Sequence, residues 1–288
     1  MRLGALFPTS EIGTDPAVIR DYVQALEALG YDHVAIFDHV LGVDLAGRKD
    51  QETQRYFSRE WQMHEPLVLY GYLAACTQRL ELATSILIAP QRQTALLAKQ
   101  AAEVDILSGG RFRLGIGLGW HQPEYEALGV DFRVRGRLLE EQVAVLRALW
   151  TQEVVTFQGQ WHHITEAGIN PLPVRRSIPL WIGGSAEPAL RRVARLADGW
   201  FPQMRPDDQG REVLERLRGY AREAGRDPST LGIEARINAA RGAPEDWAQG
   251  YAAWKDLGAT HITASTIGGG FTPDGHIDVL RRFKEAVS

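Results

Sequence analysis

The sequence predicts a single domain, residues 1–288, folded as an eight-stranded parallel α/β barrel, the (β/α)8 or TIM barrel. Eight short apolar runs alternate along almost the whole chain with segments that have the 3.6-residue period of amphipathic helices. The apolar runs are continuous, as the strands of a parallel sheet covered by helices need to be. Eight such units in about 250 residues fit a closed barrel better than an open sheet.

The predicted strands and helices follow one another in strict alternation. The strands share a run of aliphatic or aromatic residues and cover residues 2–7, 33–39, 80–89, 111–119, 178–184, 199–202, 231–239 and 260–266. The helices share an apolar stripe and cover residues 15–30, 65–78, 94–110, 135–150, 186–199, 206–225, 243–258 and 273–287. Both ends of the first helix are marked, because Asp15 is a predicted N-cap, Pro16 suits the first turn and Gly30 ends the helix.

Two connections are longer than ordinary turns. The first is an insertion of about residues 41–60 after strand two, and the second is an insertion of about residues 153–177 before strand five. The first is polar and charged, whereas the second contains VVTFQGQWHHI, which predicts a β-hairpin turning at Gln158-Gly159. We expect both insertions on the carboxyl-terminal face of the barrel, where long loops often act as lids.

An open, doubly wound sheet is the alternative architecture, but its nucleotide-binding fingerprint is incomplete. Gly115, Gly117 and Gly119 form GxGxG, and Trp120 stands where the third glycine of GxGxxG is required. The prediction of a dinucleotide-binding sheet is therefore weak.

Composition restricts the partners and the compartment. The formal net charge of -4 gives no electrostatic support for binding nucleic acid or an anionic membrane. No apolar run approaches the roughly 18 residues of a membrane span, and the amino-terminal segment lacks the apolar core of a signal peptide. The single cysteine, Cys76, lies in an apolar run and suits a reducing compartment. We therefore expect a cytoplasmic protein with no membrane or nucleic-acid partner.

Function in such a barrel concentrates at the carboxyl-terminal ends of the strands. In chain order these ends are Phe7-Pro8, Asp38-His39, Ser85-Ile86, Gly117-Leu118-Gly119-Trp120, Gly183-Gly184-Ser185, Phe201, Asn238 and Ser265-Thr266. Asp38 is the one acid among them, which argues against a glycoside hydrolase, since that chemistry needs two facing carboxylates.

The same strand ends predict no metal site. Strand two alone offers ligands, Asp38 and His39, while the adjacent His162 and His163 point to opposite sides of a strand. The sequence contains neither HExxH nor GxSxG, which argues against zinc peptidases and serine hydrolases.

The segment IPLWIGGSAEPALRR, residues 178–192, is a candidate phosphate site. Its glycines let the backbone approach an anion, and the first N–H groups of the following helix can bind phosphate. A simple strand-to-helix turn explains the same residues equally well. Arg191 and Arg192 lie about two turns into the helix, where they can equally face water. Ser85, in an otherwise apolar strand, is most simply bonded to a neighbouring strand.

Taken together, several segments resemble the luciferase-like family of flavin- and deazaflavin-dependent oxidoreductases, and the resemblance runs almost from end to end. The segments are LGYDHVAIFDHV (29–40), LELATSILIAP (80–90), LAKQAAEVDILSGGRFRLGIGLGW (97–120) and IPLWIGGSAEPALRRVARLADGWFP (178–202). The last two are similar to the branch whose members mostly use the deazaflavin coenzyme F420.

The resemblance implies roles for individual residues. Asp38 and His39 match the pair beside the reactive edge of the cofactor ring, where His39 resembles the acid/base residue of the sugar-phosphate dehydrogenases of this branch. Asp38 would orient the imidazole or hold the ring by hydrogen bonds. The cofactor-binding residues that the resemblance implies are Asp38, a non-prolyl cis peptide at Ser85-Ile86, close-approach glycines Gly117 and Gly119, and a phosphate loop of Gly183, Gly184 and Ser185.

The sequence also departs from those dehydrogenases. Trp120 stands where they carry a catalytic glutamate, and Val43 occupies the region of an aromatic residue that they place after the Asp-His pair. Both departures argue against a sugar-phosphate substrate. They predict a less polar pocket lined by Phe7, Trp120, Tyr125 and residues of the 41–60 insertion, although core packing explains Trp120 nearly as well.

The resemblance leaves three functions open. The first is an F420-dependent oxidoreductase that transfers a hydride between the cofactor and a small-molecule substrate, with His39 handling the proton. The second is an FMN-dependent luciferase-like monooxygenase, since both cofactors place phosphate at the same loop. The third is a cofactor-binding protein without turnover, which the intact Asp38-His39 pair disfavours. The resemblance also implies a homodimer.

Overall fold

The computed structural model describes residues 1–46 and 57–288; residues 47–56, part of the predicted 41–60 insertion, lie outside the described residues. Its strands are β1 (Arg2–Leu6), β2 (His33–Ile36), β3 (Glu81–Thr84), β4 (Leu87–Ile88), β5 (Phe112–Gly117), β6 (Val155–Gln158), β7 (His163–Ala167), β8 (Leu180–Gly183), β9 (Gly199–Phe201), β10 (Gly232–Asn238) and β11 (His261–Ser265). Its α-helices are α1 (Pro16–Ala28), α2 (Pro66–Cys76), α3 (Thr94–Leu107), α4 (Gln122–Ala127), α5 (Arg135–Thr151), α6 (Glu187–Leu196), α7 (Asp208–Glu223), α8 (Pro244–Asp256) and α9 (Pro273–Val287).

The strands close into a parallel barrel. Strand β1 pairs with β2 on one side and with β11 on the other, and β3 pairs with β5 to complete the ring. Strands β3 and β4 are two parts of one barrel strand, since both pair with β5. Between them lies the Ser85-Ile86 peptide bond, which is cis as the resemblance implied. The eight strand positions and their surrounding helices confirm the predicted (β/α)8 barrel.

The helices cover the barrel with their apolar faces, and α1 illustrates how the sequence achieves this. Its buried residues are Ile19, Tyr22, Val23 and Leu26, which follow the spacing of one helix face. The Asp15 side chain accepts a hydrogen bond from Ala17 N at 2.8 Å, which caps the helix as predicted.

Strand β2 begins at His33, which is fully buried inside the barrel. A Cβ atom at Gly4, on the neighbouring strand β1, would lie 2.0 Å from His33 Nε2, so the absence of a side chain there leaves room for the imidazole. The barrel interior is thus polar at this level, below the carboxyl-terminal ends of the strands.

The hairpin formed by β6 and β7 lies outside the barrel, and of the expected position only the tip comes beside the carboxyl-terminal face, where it meets the first residue of α3. It connects α5 to β8, so its ends lie at the amino-terminal ends of the barrel strands. Its tip packs against the outer helices: Glu141 Oε1 accepts hydrogen bonds from Trp161 N and His162 N, each at 2.8 Å, and His162 Nε2 lies 2.6 Å from Thr94 Oγ1.

The described ends of the first insertion are held together by backbone hydrogen bonds. Val43 N donates to Phe57 O at 2.8 Å, and Arg59 N donates to Val43 O at 3.0 Å. This pairing brings Phe57 to the mouth of the barrel although it is remote from strand β2 in the sequence. Among the helices of the described residues, none combines the length and the apolar character needed to cross a bilayer.

Candidate active site

A cavity of about 580 Å³ opens at the carboxyl-terminal ends of the strands. This volume is within the range of small-molecule and cofactor sites. Every residue that the sequence assigned to cofactor binding lines the cavity: Asp38, Ser85, Ile86, Gly117, Gly119, Gly183, Gly184 and Ser185. His39 and Trp120 also line it. Trp120 is 51% exposed, so it is a wall residue of the cavity and not part of the core.

Gly117, the last residue of β5, and Gly119, just after it, let this part of the chain approach β4 closely. A Cβ at Gly117 would lie 2.7 Å from Ile86 Cδ1, and one at Gly119 would lie 2.9 Å from the Ile88 side chain. Gly119 also has a φ of +64°, which side-chain-bearing residues rarely adopt. The side chains of Ile86 and Ile88 therefore pack directly against the backbone of the two glycines, and this backbone lines the cavity.

The loop between β8 and α6 has the form expected of an anion site. Gly184 has a φ of +120°, and its carbonyl oxygen accepts a hydrogen bond from Trp200 Nε1 at 2.7 Å. Ser185 Oγ accepts a hydrogen bond from Gln203 N at 2.8 Å, which fixes the loop against the segment after β9. Helix α6 starts two residues later, so its first N–H groups face this end of the cavity.

Three arginines lie near this loop, and Arg135 is the one that lines the cavity. Arg191 pairs with Glu187 on the exposed face of α6, and Arg192 pairs with Glu140, so neither supplies the cavity with charge. The Arg135 guanidinium stacks 3.6 Å above the Phe132 ring and lies at the start of α5. Arg135 is 48 positions before Gly183 in the sequence, so no local motif connects it to the loop.

His39 is held by a buried glutamate that lies at none of the predicted strand ends. Its Nδ1 atom lies 3.2 Å from Glu124 Oε1, and Glu124 is fully buried. The same carboxylate accepts hydrogen bonds from Val40 N at 2.7 Å, from Leu41 N at 3.2 Å and from Gln91 Nε2 at 3.2 Å. Although burial raises the pKa of Glu124, the hydrogen bonds from His39 and its other donors keep it below the ordinary value, so the carboxylate is ionised at neutral pH.

The Glu124 contact determines which nitrogen of His39 serves the cavity. An ionised carboxylate only accepts hydrogen bonds, so Nδ1 carries a hydrogen toward Glu124. Nε2 is therefore the ring atom left for a molecule bound in the cavity, which His39 lines. The ring is also fixed by stacking on Phe57, at 4.2 Å between centroids and 12° between planes. Phe57, whose carbonyl oxygen accepts a hydrogen bond from Val43 N, thus supplies an aromatic ring beside His39.

Of the two roles expected for Asp38, the structure does not support the orientation of His39, since both carboxylate oxygens bond elsewhere; a hydrogen bond to the cofactor ring stays a prediction. Its Oδ1 accepts a hydrogen bond from Arg92 Nη2 at 2.9 Å, and its Oδ2 accepts one from Ile88 N at 3.1 Å. Burial raises the pKa of Asp38 even though the Arg92 charge opposes the shift. Asp38 thus ties the end of β2 to β4, and it lines the cavity beside Ile86.

A second histidine joins this cluster. His39, His121 and Glu124 offer ligand atoms that all lie within 4.8 Å of one another. The prediction that ligands occur at strand two alone was therefore wrong, because α4 and the residue before it bring His121 and Glu124 to His39. Two imidazoles and a carboxylate can bind zinc or iron. Both Glu124 oxygens already accept hydrogen bonds here, so the observed arrangement is that of a hydrogen-bonded pair, His39 and Glu124.

Two residues predicted to line a substrate pocket are elsewhere. Phe7 is fully buried and packs edge-on against Tyr22 at 5.7 Å between ring centroids. Tyr125 is fully buried, and its hydroxyl donates a hydrogen bond to the Leu118 carbonyl oxygen. The reason for the second error is the short helix α4, which turns Glu124 toward His39 and Tyr125 toward the core.

Comparison with known sequences supplies relatives that span most of the chain. The profile of the luciferase-like monooxygenase family matches residues 1–278. An uncharacterized protein of Mycobacterium bovis is 33% identical over 223 residues, which are 76% of this chain and 77% of the relative. A phthiodiolone/phenolphthiodiolone dimycocerosates ketoreductase of Mycobacterium bovis is 33% identical over 174 residues, which are 58% of this chain and 45% of that protein.

Comparison with solved structures gives the same fold. The monooxygenase RslO1 from Streptomyces bottropensis superimposes with a TM-score of 0.80 at 19% identity, covering 100% of this chain and 98% of that one. An F420-dependent secondary alcohol dehydrogenase, in complex with an F420–acetone adduct, superimposes with a TM-score of 0.79 at 18% identity, covering 100% of this chain and 99% of that one. With the family profile matched over nearly the whole barrel, the chain belongs to the luciferase-like monooxygenase family.

Proposed function

We propose that this protein is an F420-dependent oxidoreductase that transfers a hydride between the deazaflavin and a small organic substrate, with His39 handling the accompanying proton. One observation carries the proposal: His39 lines the cavity while Glu124 holds its Nδ1 at 3.2 Å, which leaves Nε2 for the substrate. A fixed imidazole with one free nitrogen is the arrangement that general acid–base chemistry needs.

The residues around the cavity fit a cofactor with a flat ring and a phosphate. Ser85, Ile86 and Gly117 would back the ring, and the loop of Gly183, Gly184 and Ser185 would receive the phosphate. A Cβ at Gly183 would lie 3.2 Å from Ile86 Cγ2, so a larger residue would narrow the cavity between the two sites. When bound, a deazaflavin supplies a ring carbon that accepts or gives a hydride.

The substrate chemistry that suits His39 is the interconversion of an alcohol and a carbonyl group. In the oxidative direction the alcohol carbon loses its hydrogen as a hydride, the C–O bond becomes a double bond, and the hydroxyl proton goes to His39 Nε2. Glu124, which is ionised, stabilises the imidazolium that results. In the reductive direction His39 returns the proton to the new hydroxyl oxygen.

Two relatives support this choice of chemistry. One is named as a ketoreductase and shares 33% identity over 174 residues. Another is an F420-dependent secondary alcohol dehydrogenase with the same fold. We extend their chemistry to this chain because His39 and its partner Glu124 supply the proton transfer that both reactions require.

An FMN-dependent monooxygenase is the second candidate, and it has its own support. The phosphate loop serves FMN equally well, and the monooxygenase RslO1 has the same fold over the whole chain. In this case reduced flavin would react with oxygen in the cavity, and an acid/base residue at position 39 would be less important for turnover.

A panel of secondary alcohols and ketones tests the first candidate. The purified protein is loaded with F420, and the loss or return of the oxidised deazaflavin absorbance is followed with each compound. We expect reversible turnover with at least one pair, and a loss of about 10²-fold or more in His39→Ala, because a positioned acid or base contributes about that much. Turnover in His39→Ala equal to that of the unchanged protein would contradict the acid/base role.

A further inference from the structure

The floor of the cavity carries a guanidinium group that the proposed proton chemistry does not use. Arg236 lies on β10, and its Nη2 donates hydrogen bonds to Ser85 O and to Ser85 Oγ, both at 3.1 Å. Arg236 and Ser85 both line the cavity. The positive charge thus lies directly beside the residues that would back the cofactor ring.

The nearest acid on the same strand is already neutralised. Glu234 precedes Arg236 by two residues on β10, so both point into the barrel. Glu234 Oε2 lies 2.6 Å from Arg113 Nη1, and Glu234 Oε1 lies 3.1 Å from His33 Nε2. Burial raises the pKa of Glu234, but the Arg113 and His33 charges outweigh it and hold the pKa well below the ordinary value.

Arg236 is therefore left without a matched counter-charge. Within residues 1–46 and 57–288, no carboxylate forms an ion pair with it at 4.0 Å or less. Desolvation by the surrounding cavity walls lowers the pKa of Arg236, and the attraction of Glu234 only partly opposes this shift. A guanidinium stays charged in proteins, and Arg236 is open to the cavity, so its charge attracts an anionic group that binds there.

We propose that Arg236 binds the reduced cofactor more tightly than the oxidised one, and so raises the reduction potential of the bound ring. The proposal rests on the proposed function, since it needs a ring seated against Ser85 and Ile86. Accepting a hydride adds two electrons and one proton, which makes the ring more negative by one charge. A fixed positive charge beside the ring stabilises the form that carries the extra negative charge.

The test compares two substitutions that differ in charge. Arg236→Gln removes the charge but keeps an amide that can donate to Ser85, and Arg236→Lys keeps the charge. Arg281→Gln, on the exposed face of α9, removes one positive charge far from the cavity and serves as the matched control. Dissociation constants are measured for oxidised F420 and, under anaerobic conditions, for chemically reduced F420.

We expect Arg236→Gln to raise, by about tenfold or more, the ratio of the dissociation constant of reduced F420 to that of oxidised F420. For a two-electron couple a tenfold change corresponds to about 30 mV. The ratio in Arg236→Lys and Arg281→Gln stays within about twofold of that in the unchanged protein. If Arg236 had a purely structural role, Arg236→Gln would weaken the binding of both forms of F420 equally. An unchanged ratio would therefore overturn this inference and leave the proposed function standing. Failure of the unchanged protein to bind F420 would overturn the proposed function and the inference with it.

Discussion

Glu124 Oε1 lies 3.2 Å from His39 Nδ1, although 85 positions separate the two residues in the sequence. The contact joins the end of strand β2 to helix α4, which follows β5. Since Glu124 also accepts the backbone N–H groups of Val40 and Leu41, it fixes both the imidazole and the start of the loop that follows. A hydrogen-bonded carboxylate behind a histidine sets the ring orientation and stabilises its charged form.

Replacing Glu124 tests this relationship. Glu124→Gln keeps the size of the side chain but removes the charge that stabilises the imidazolium of His39. We expect kcat for alcohol oxidation to fall by about 10²-fold or more, while KM and the dissociation constant of F420 change little. Glu126→Gln is the matched control, since Glu126 lies on the exposed side of the same helix and contacts Gln122. An equal loss in both variants, or a loss confined to KM, would contradict the positioning role.

The interior ion pair of Glu234 and Arg113 predicts how stability depends on pH. The pKa of Glu234 is held well below its ordinary value in the folded protein, so the pair contributes stability above the unfolded pKa, about 4.3, and loses it as the pH falls below that value. We expect Glu234→Gln to lower the free energy of unfolding by about 3 kcal/mol at neutral pH, because Arg113 loses a buried partner.

The measurement for this prediction is urea denaturation at several pH values between neutral and acid. The difference in unfolding free energy between the unchanged protein and Glu234→Gln should shrink as the pH falls below the ordinary glutamate range. Glu215→Gln, whose side chain is 56% exposed and pairs with Arg218, should cost less than about 1 kcal/mol at neutral pH. A difference that stays constant with pH would show that Glu234 contributes by packing and not by its charge.

Substitution by alanine should have opposite effects on stability at two glycines, Gly115 and Gly71. A Cβ at Gly115 would lie 2.0 Å from the Thr84 carbonyl oxygen, which is backbone and cannot move aside, so Gly115→Ala should destabilise the barrel by about 1–3 kcal/mol. Gly71 lies within α2 and has open space where the Cβ would go, so Gly71→Ala should stabilise the protein by about 1 kcal/mol. Thermal and urea unfolding of both variants provides the check. The same sign for both substitutions would be inconsistent with the close packing of β3 and β5.

Trp120 lines the mouth of the cavity, and half of its side chain is exposed. Its ring meets the His39 ring edge-on at 5.6 Å between centroids, next to the proposed site of proton transfer. We expect Trp120→Ala to raise KM for apolar ketones by about tenfold and to leave F420 binding unchanged. The reason is that contact with an aromatic ring contributes about 1–2 kcal/mol to the free energy of substrate binding. Leu107→Ala is the control, since Leu107 is equally exposed at 54% but lies at the end of α3 and does not line the cavity. Equal KM values in the two variants would remove Trp120 from the substrate site.

The residues that could be predicted from the sequence are those at the ends of predicted strands. His39, Ser85 and Gly183 each follow a continuous apolar run, and the barrel topology brings such ends to one face. The order of the motifs along the chain resembles that of the luciferase-like family. The cis peptide bond at Ser85-Ile86 agrees with this resemblance.

The residues that could not be predicted reach the cavity through tertiary contacts with no fixed spacing. Glu124 depends on the short helix α4, which had no apolar period strong enough to predict. Phe57 reaches His39 because the insertion after β2 folds back on Val43. Arg236 lies in a strand whose apolar pattern gave no sign that one side chain faces a cavity. The base of the hairpin β6–β7 was misplaced because an insertion between a helix and the next strand starts at the amino-terminal face of the barrel.

The most direct test of the central claim is a titration of the apoprotein with F420 and, separately, with FMN, followed by fluorescence quenching. We expect saturable binding of F420 with a lower dissociation constant than that of FMN. Substitution of Gly184 by Val should weaken the binding, because the phosphate loop needs a φ of +120° at this position. Saturable binding of FMN without any binding of F420 would contradict the assignment and favour the flavin monooxygenase.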